Sequence, residues 1–185
     1  MKFLNTEKRI IAELDKTLGS ISEKEIELLI ESIQKADKVF FVGVGRVLLS
    51  LQAVAKRLAH LGIQTVVVGQ ITEPAITKND VLIVGSGSSE SAFPLAMAKK
   101  AKTLGVNVIH IGSNPNSSMK AYTDLFVRIP VQTKLNLSDE IKSIQPMTSL
   151  FEQALLLLGD SIALWIIEQK NLNMHDLWQY HANLE

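Results

Sequence analysis

Apolar side chains recur at helical spacing over the first 35 residues, then give way to short unbroken runs. In residues 5–18, Ile10, Ile11, Leu14 and Leu18 form one stripe, which predicts a helix. Ser22 and Glu25 have the spacing of a capping box ahead of Ile26, Leu29, Ile30 and Ile33, which predicts a second. Runs such as Val39-Phe40-Phe41-Val42 and Val81-Leu82-Ile83-Val84 follow. The pattern predicts strands at 38–43, 64–68, 80–85, 106–111 and 125–129, with helices near 46–61 and 90–104 and a short one near 117–121. Strands that are apolar throughout are buried on both faces. Helical crossovers between them imply a parallel sheet with helices on both sides, an α/β fold whose ligands bind beyond the carboxyl ends of the strands. The apolar stretch Ala154 to Ile167 is interrupted by Gly159-Asp160-Ser161 and is expected to be a buried helix, too short and too polar in the middle to span a bilayer.

At 185 residues the chain is expected to form one domain. Its 19 basic and 19 acidic side chains cancel, which leaves no electrostatic footprint for nucleic acid or an anionic membrane and favours a defined oligomer. The absence of cysteine excludes disulfides and thiolate catalysis and fits a reducing cytosol, so a cytoplasmic location is expected. The first residues turn polar too quickly for a signal peptide. No pair of histidines and carboxylates has metal-ligand spacing, so neither metal nor cofactor is expected.

Two glycine-bearing turns fall at predicted strand ends. Gly43-Val44-Gly45-Arg46-Val47-Leu48 opens like a dinucleotide fingerprint, but Leu48 replaces the third glycine and the next strand ends without an acid, so NAD binding is rejected. Arg46 is placed to meet a phosphate or sugar oxygen; at a helix start it calls for an anion to offset it. The second turn, Gly85-Ser86-Gly87-Ser88-Ser89-Glu90-Ser91, carries more hydroxyls than capping requires and is read as a phosphate site. It lacks the lysine of a nucleotide-cradling loop, which points to a small phosphorylated metabolite. Glu152 has mostly apolar neighbours at helical spacing, so it either pairs with a cation or serves as a general base. Asp160, His60, His110 and His175 read as structural, and composition supports nothing more for His181. The polar loop Val131 to Ser143 is long enough to be functional or mobile.

These motifs resemble the 6-phospho-3-hexuloisomerases, members of the sugar isomerase (SIS) domain family. Gly43-Val44-Gly45-Arg46, Arg57 to Gly62, Ser86 to Ser91, Ile144 to Gln153 and His181 to Glu185 carry the likeness, which runs essentially end to end. The resemblance implies a three-layer α/β/α sandwich with a five-stranded parallel sheet, flavodoxin- or Rossmann-like. It implies a single domain over 1–185 whose N-terminal helices (about 5–35) and C-terminal helices (about 146–180) serve oligomerisation. A homotetramer with shared active sites is expected. So is the metal-free interconversion of D-arabino-3-hexulose 6-phosphate and fructose 6-phosphate, the chemistry of the ribulose monophosphate pathway and of formaldehyde fixation.

In that frame Glu152, His181 and Arg46 are catalytic, and Ser86, Ser88, Ser89 and Ser91 bind the phosphate. Gly45, Gly87 and Glu90 contact substrate, and a neighbouring subunit is one source of His181. The chain departs from the family's usual residues at Val47, Leu48, Gln70 and Ser89, where Ser, Gly, Glu and Gly are common. The alternatives are a sugar-phosphate sensor without turnover, or an isomerase of a pentose or heptose phosphate.

Overall fold

The computed structural model describes residues 3–184. Helices α1 (Phe3–Leu18) and α2 (Glu23–Lys35) precede β1 (Val39–Val42), α3 (Gly45–Ala59), β2 (Thr65–Val67) and β3 (Val81–Gly85). Then come α4 (Ala92–Thr103), β4 (Asn107–Gly112), β5 (Leu125–Arg128) and α5 (Ser149–Gln169), with 3-10 helices at Ser118–Tyr122 and Asp176–Tyr180. All five strands pair in parallel, in the order β2-β1-β3-β4-β5. The chain places β2 on one side of β1, then crosses over to place β3 on the other. That reversal opens a crevice above the carboxyl ends of β1 and β3. Val42 and Val84 are register partners, so the chain leaves both strands side by side there.

Alternate strand residues feed two cores. Phe41, Ile83 and Ile109 pack with side chains of α2, α3 and α5, while Phe40, Leu82 and Val108 pack with α4 and Met119. Each such side chain contributes roughly 1.5–3 kcal/mol on burial. Helices α3 and α5 cross at Gly159, where a Cβ would run into the Val54 side chain. A glycine in mid-helix costs about 1 kcal/mol against alanine; here it permits the close approach.

Four expectations are corrected in detail. The capping box is half made: Ser22 Oγ accepts from Glu25 N at 3.4 Å, but the Glu25 carboxylate accepts from Arg128 N at 2.8 Å and so ties α2 to β5. Helix α4 begins at Ala92 because residues 86–91 form an irregular turn. The helix expected near Pro146 starts at Ser149, after Met147 at φ +53°. That helix, α5, has 21 residues and a mean hydropathy of 1.7, long and apolar enough to cross a membrane by length and composition. Its inner face, including Phe151, Leu155 and Ile166, nevertheless packs into the core, and Asp160 pairs with Arg57 at 3.4 Å.

Candidate functional site

Three helix starts meet at the crevice. Gly45 and Arg46 of α3, the Ser91 that precedes α4 and the Thr148 that precedes α5 all line one cleft of about 520 Å³. Each helix start carries partial positive charge and unpaired amides, so their convergence favours an anion. Gly45 sits at φ +58°, a conformation that costs glycine little and turns the chain sharply from β1 into α3.

Arg46 and Glu152 are brought together. Arg46 Nε donates to Glu152 Oε2 at 2.5 Å, although 106 residues separate them. The arginine side chain is 65% exposed and the carboxylate 8%. Thr148 Oγ1 donates to Oε1 at 2.9 Å, and Ser50 Oγ donates to the Glu152 carbonyl at 2.8 Å. Each carboxylate oxygen therefore has one protein donor, and each keeps lone-pair capacity for a further proton or hydroxyl. The acid also supplies the anion that Arg46 requires at a helix start.

The serine turn lies across the cleft. Ser86, Ser88 and Ser91 line it together with Gly87. Ser86 Oγ donates to Ser91 Oγ at 3.3 Å and accepts from Ser89 N at 3.1 Å. Among the described residues, none accepts a hydrogen bond from the Gly87 or Ser88 amide. Below the turn, His110 Nε2 stands 3.3 Å from the Ser86 carbonyl. Burial drives the His110 pKa down to about 4, outweighing the opposing hydrogen bond to Ser86. The ring is thus neutral at pH 7 and meets that carbonyl as an Nε2–H donor.

Three expected site residues lie elsewhere in this chain. Ser89 is fully buried at φ +63°, and its hydroxyl shares one proton between the Ser86 and Asn114 carbonyls at 3.3 and 3.2 Å. It shapes the turn from behind. Glu90 accepts from Ser118 N at 2.8 Å and so holds the start of a 3-10 helix outside the cleft. His181 stacks on His60, ring centroids 5.2 Å apart, and lines a separate pocket of about 190 Å³ with Arg57 and Trp178. Arg46 and His60 stand at opposite ends of α3, roughly 20 Å apart at 1.5 Å per residue.

Of the departures, Val47 lines the cleft and packs against Gly85, where a Cβ would come within 3.0 Å of its Cγ1. Leu48 packs against the core instead, and Gln70 is exposed outside the cleft.

Sequence reasoning flagged the long polar loop but named no residue in it. Thr133, Lys134, Asn136 and Gln145 line the cleft. Two carboxylates hold them. Glu140, 5% exposed, accepts from Thr133 N at 3.2 Å, Thr133 Oγ1 at 2.9 Å and Leu137 N at 2.9 Å, with the Ser113 hydroxyl 3.3 Å away. Glu13, on α1, accepts from Ser143 Oγ and Ile144 N at 2.7 Å and from Gln145 Nε2 at 3.1 Å. Burial raises the Glu13 pKa, but these donors and the Arg9 charge outweigh it and hold the carboxyl below its ordinary value. In a sequence both acids look like surface charges. Among the described residues, no three His, Cys, Asp or Glu side chains gather as a metal site requires.

Comparison with known proteins matches the SIS domain over residues 32–157. The chain is 38% identical over 176 residues to the 3-hexulose-6-phosphate isomerase of Bacillus subtilis, covering 95% of each chain. It superposes with a TM-score of 0.84 on a Methanococcus jannaschii protein for which a 3-hexulose-6-phosphate isomerase function was inferred, at 29% identity over 98% of this chain and 99% of that one. An Escherichia coli CFT073 protein, solved as a complex with a ligand, superposes with a TM-score of 0.79 at 26% identity, covering 98% of this chain and 100% of that one.

Proposed function

Because the chain belongs to the SIS domain family, we propose that it is a phosphosugar isomerase that interconverts D-arabino-3-hexulose 6-phosphate and fructose 6-phosphate. The observation that carries this reading is the Arg46–Glu152 pair facing the serine turn across a single cleft. A phosphate held by the Ser88 and Ser91 hydroxyls, the neighbouring amides and the buried Ser86 fixes one end of the substrate. The other end of the sugar then lies against the Glu152 carboxylate. Glu152 takes the proton from carbon 3 of fructose 6-phosphate while the carbon-2 carbonyl oxygen gains a proton, and a 2,3-enediol forms. Return of that proton to carbon 2, as the carbon-3 hydroxyl gives up a proton to replace the one taken by the carbon-2 oxygen, yields the 3-keto sugar, while Arg46 and Thr148 steady the carboxylate and the sugar oxygens. Acid–base transfer of this kind contributes roughly 10²–10⁴-fold.

His181 belongs to this reading as a residue supplied by a neighbouring subunit of a cytoplasmic homotetramer. Support comes from the exposed apolar residues of the helical extensions. Phe3, Leu4 and Ile11 on α1, Leu164 and Trp165 on α5, and Trp178 beside His181 offer surfaces that a partner copy would cover. The ribulose monophosphate pathway is the metabolic setting of such an activity.

The test is incubation of the protein with fructose 6-phosphate in D₂O, followed by NMR. Deuterium at carbon 3 together with a growing 3-hexulose 6-phosphate signal is the expected result. Ligand-dependent thermal stabilisation with neither exchange nor turnover would replace the isomerase with a sugar-phosphate sensor.

A further inference from the structure

Beyond the partial charges of its three helix starts, the cleft offers an anion one full positive charge that no carboxylate matches. Arg46 is already matched by Glu152, and the serine turn contributes only neutral donors. A phosphomonoester brings a charge of about −1.5 to −2 at neutral pH, and anions drawn out of water need a counter-charge. Lys134 is the other basic side chain lining the cleft, and among the described residues it forms no ion pair.

Its position is set by a relay from the serine turn. The Gly87 carbonyl accepts from Ser113 N at 3.0 Å, and the Ser113 hydroxyl donates to the Val131 carbonyl at 2.7 Å with Glu140 Oε1 3.3 Å away. Glu140 in turn accepts from both Thr133 N and Thr133 Oγ1. The Thr133 methyl stands 3.7 Å from where a Gly87 Cβ would be. Lys134 thus leaves the backbone one residue from a point packed on the serine turn. Its stem is exposed and long enough to swing over a bound anion.

Building on the isomerase reading above, we propose that Lys134 is the cation that pairs with the substrate's phosphate, closing over it from the loop that Glu140 anchors. Glu140 is then a positioning residue that acts through Lys134. The charge requirement applies to any phosphomonoester, so the residue selects for phosphorylated over free sugars and not between chain lengths.

The test compares wild type with Lys134→Met and Lys134→Arg, using inorganic phosphate as a competitive inhibitor. Loss of one charge-assisted hydrogen bond predicts that Lys134→Met raises both the KM for fructose 6-phosphate and the Ki for phosphate by roughly 10–100-fold. The effect on kcat is expected to be smaller, and added salt should weaken phosphate inhibition less than in wild type. Lys134→Arg should restore most of both constants. If wild type turns over and is inhibited by phosphate while Lys134→Met keeps the same Ki, this assignment is wrong and the isomerase reading stands. Wild type showing neither turnover nor any phosphate effect would overturn both.

Discussion

Acidification should weaken the fold through His110, by an amount the structure sets. The ring is buried in β4 under the serine turn, and burial lowers its pKa from 6.5 to about 4. Between those two values the unfolded chain binds a proton that the folded chain refuses, so stability falls as pH falls. The loss begins near pH 6.5 and ends near pH 4, below which both states are protonated. A shift of that size corresponds to about 3 kcal/mol, a large share of a typical domain's stability. Glu13 and Asp80, whose pKa values are lowered, also lose their contribution at the acid end of this window and below it. Lys120 and Asp124 line the pocket beside the ring and add their own charges. Comparison with His110→Gln, which keeps an N–H for the Ser86 carbonyl but does not titrate, subtracts these terms. Urea unfolding followed by tryptophan fluorescence at half-unit steps from pH 7 to 4, at two protein concentrations to expose any subunit dissociation, measures the difference. Wild type should lose about 3 kcal/mol more than the variant. Parallel curves for the two proteins would refute the argument that the ring is held neutral by burial.

Glu152→Gln keeps the side chain's shape and should cut kcat by roughly 10²–10⁴-fold while leaving inorganic phosphate inhibition intact; near-normal turnover would exclude Glu152 as the base. Ser88→Ala removes a hydroxyl from the cleft and should raise KM by roughly 10-fold or more, measured in the same isomerase assay. Ser89→Gly, on the buried side of the same turn, should leave KM near the wild-type value because the left-handed backbone it must adopt suits glycine. Gly159→Ala forces a methyl into Val54 and should lower stability by about 1–3 kcal/mol, read by thermal unfolding; an unchanged melting temperature would mean α3 and α5 can separate at little cost.

The parts of the fold that were legible in sequence are those with one physical explanation. Val81-Leu82-Ile83-Val84, short, β-branched and followed by glycine, reads as a strand buried on both faces, and helical crossovers between such runs make the sheet parallel. Arg46 was legible as a charge in want of an anion, and Glu152 as a carboxylate in want of a cation, though neither alone named the other. The serine turn was legible as a cluster of hydroxyls at a strand end but not hydroxyl by hydroxyl. Whether Ser88 or Ser89 faces the cleft depends on a single left-handed φ at Ser89, and four near-identical residues carry no trace of it. Glu13 and Glu140 escaped notice because what marks them is the set of backbone and hydroxyl donors that tertiary structure aims at them. The segment from Thr133 to Gln145 has no periodicity to read, since it is shaped by those two acids and not by an apolar face.

The Glu13 anchor also has a consequence in time. Its three hydrogen bonds reach across 130, 131 and 132 residues of chain. During synthesis at about 5–20 residues per second, α1 emerges roughly 6 to 26 seconds before the segment it must hold exists. For that interval its Leu14 and Leu18 lack the part of the core that α5 supplies, and contacts so distant along the chain form late and slowly. Ribosome-bound chains halted before residue 143 should therefore show an unprotected, protease-sensitive α1, and chains released beyond α5 a protected one. The first helix made is among the last to find its place, and the wall of the cleft that it supports is completed only then.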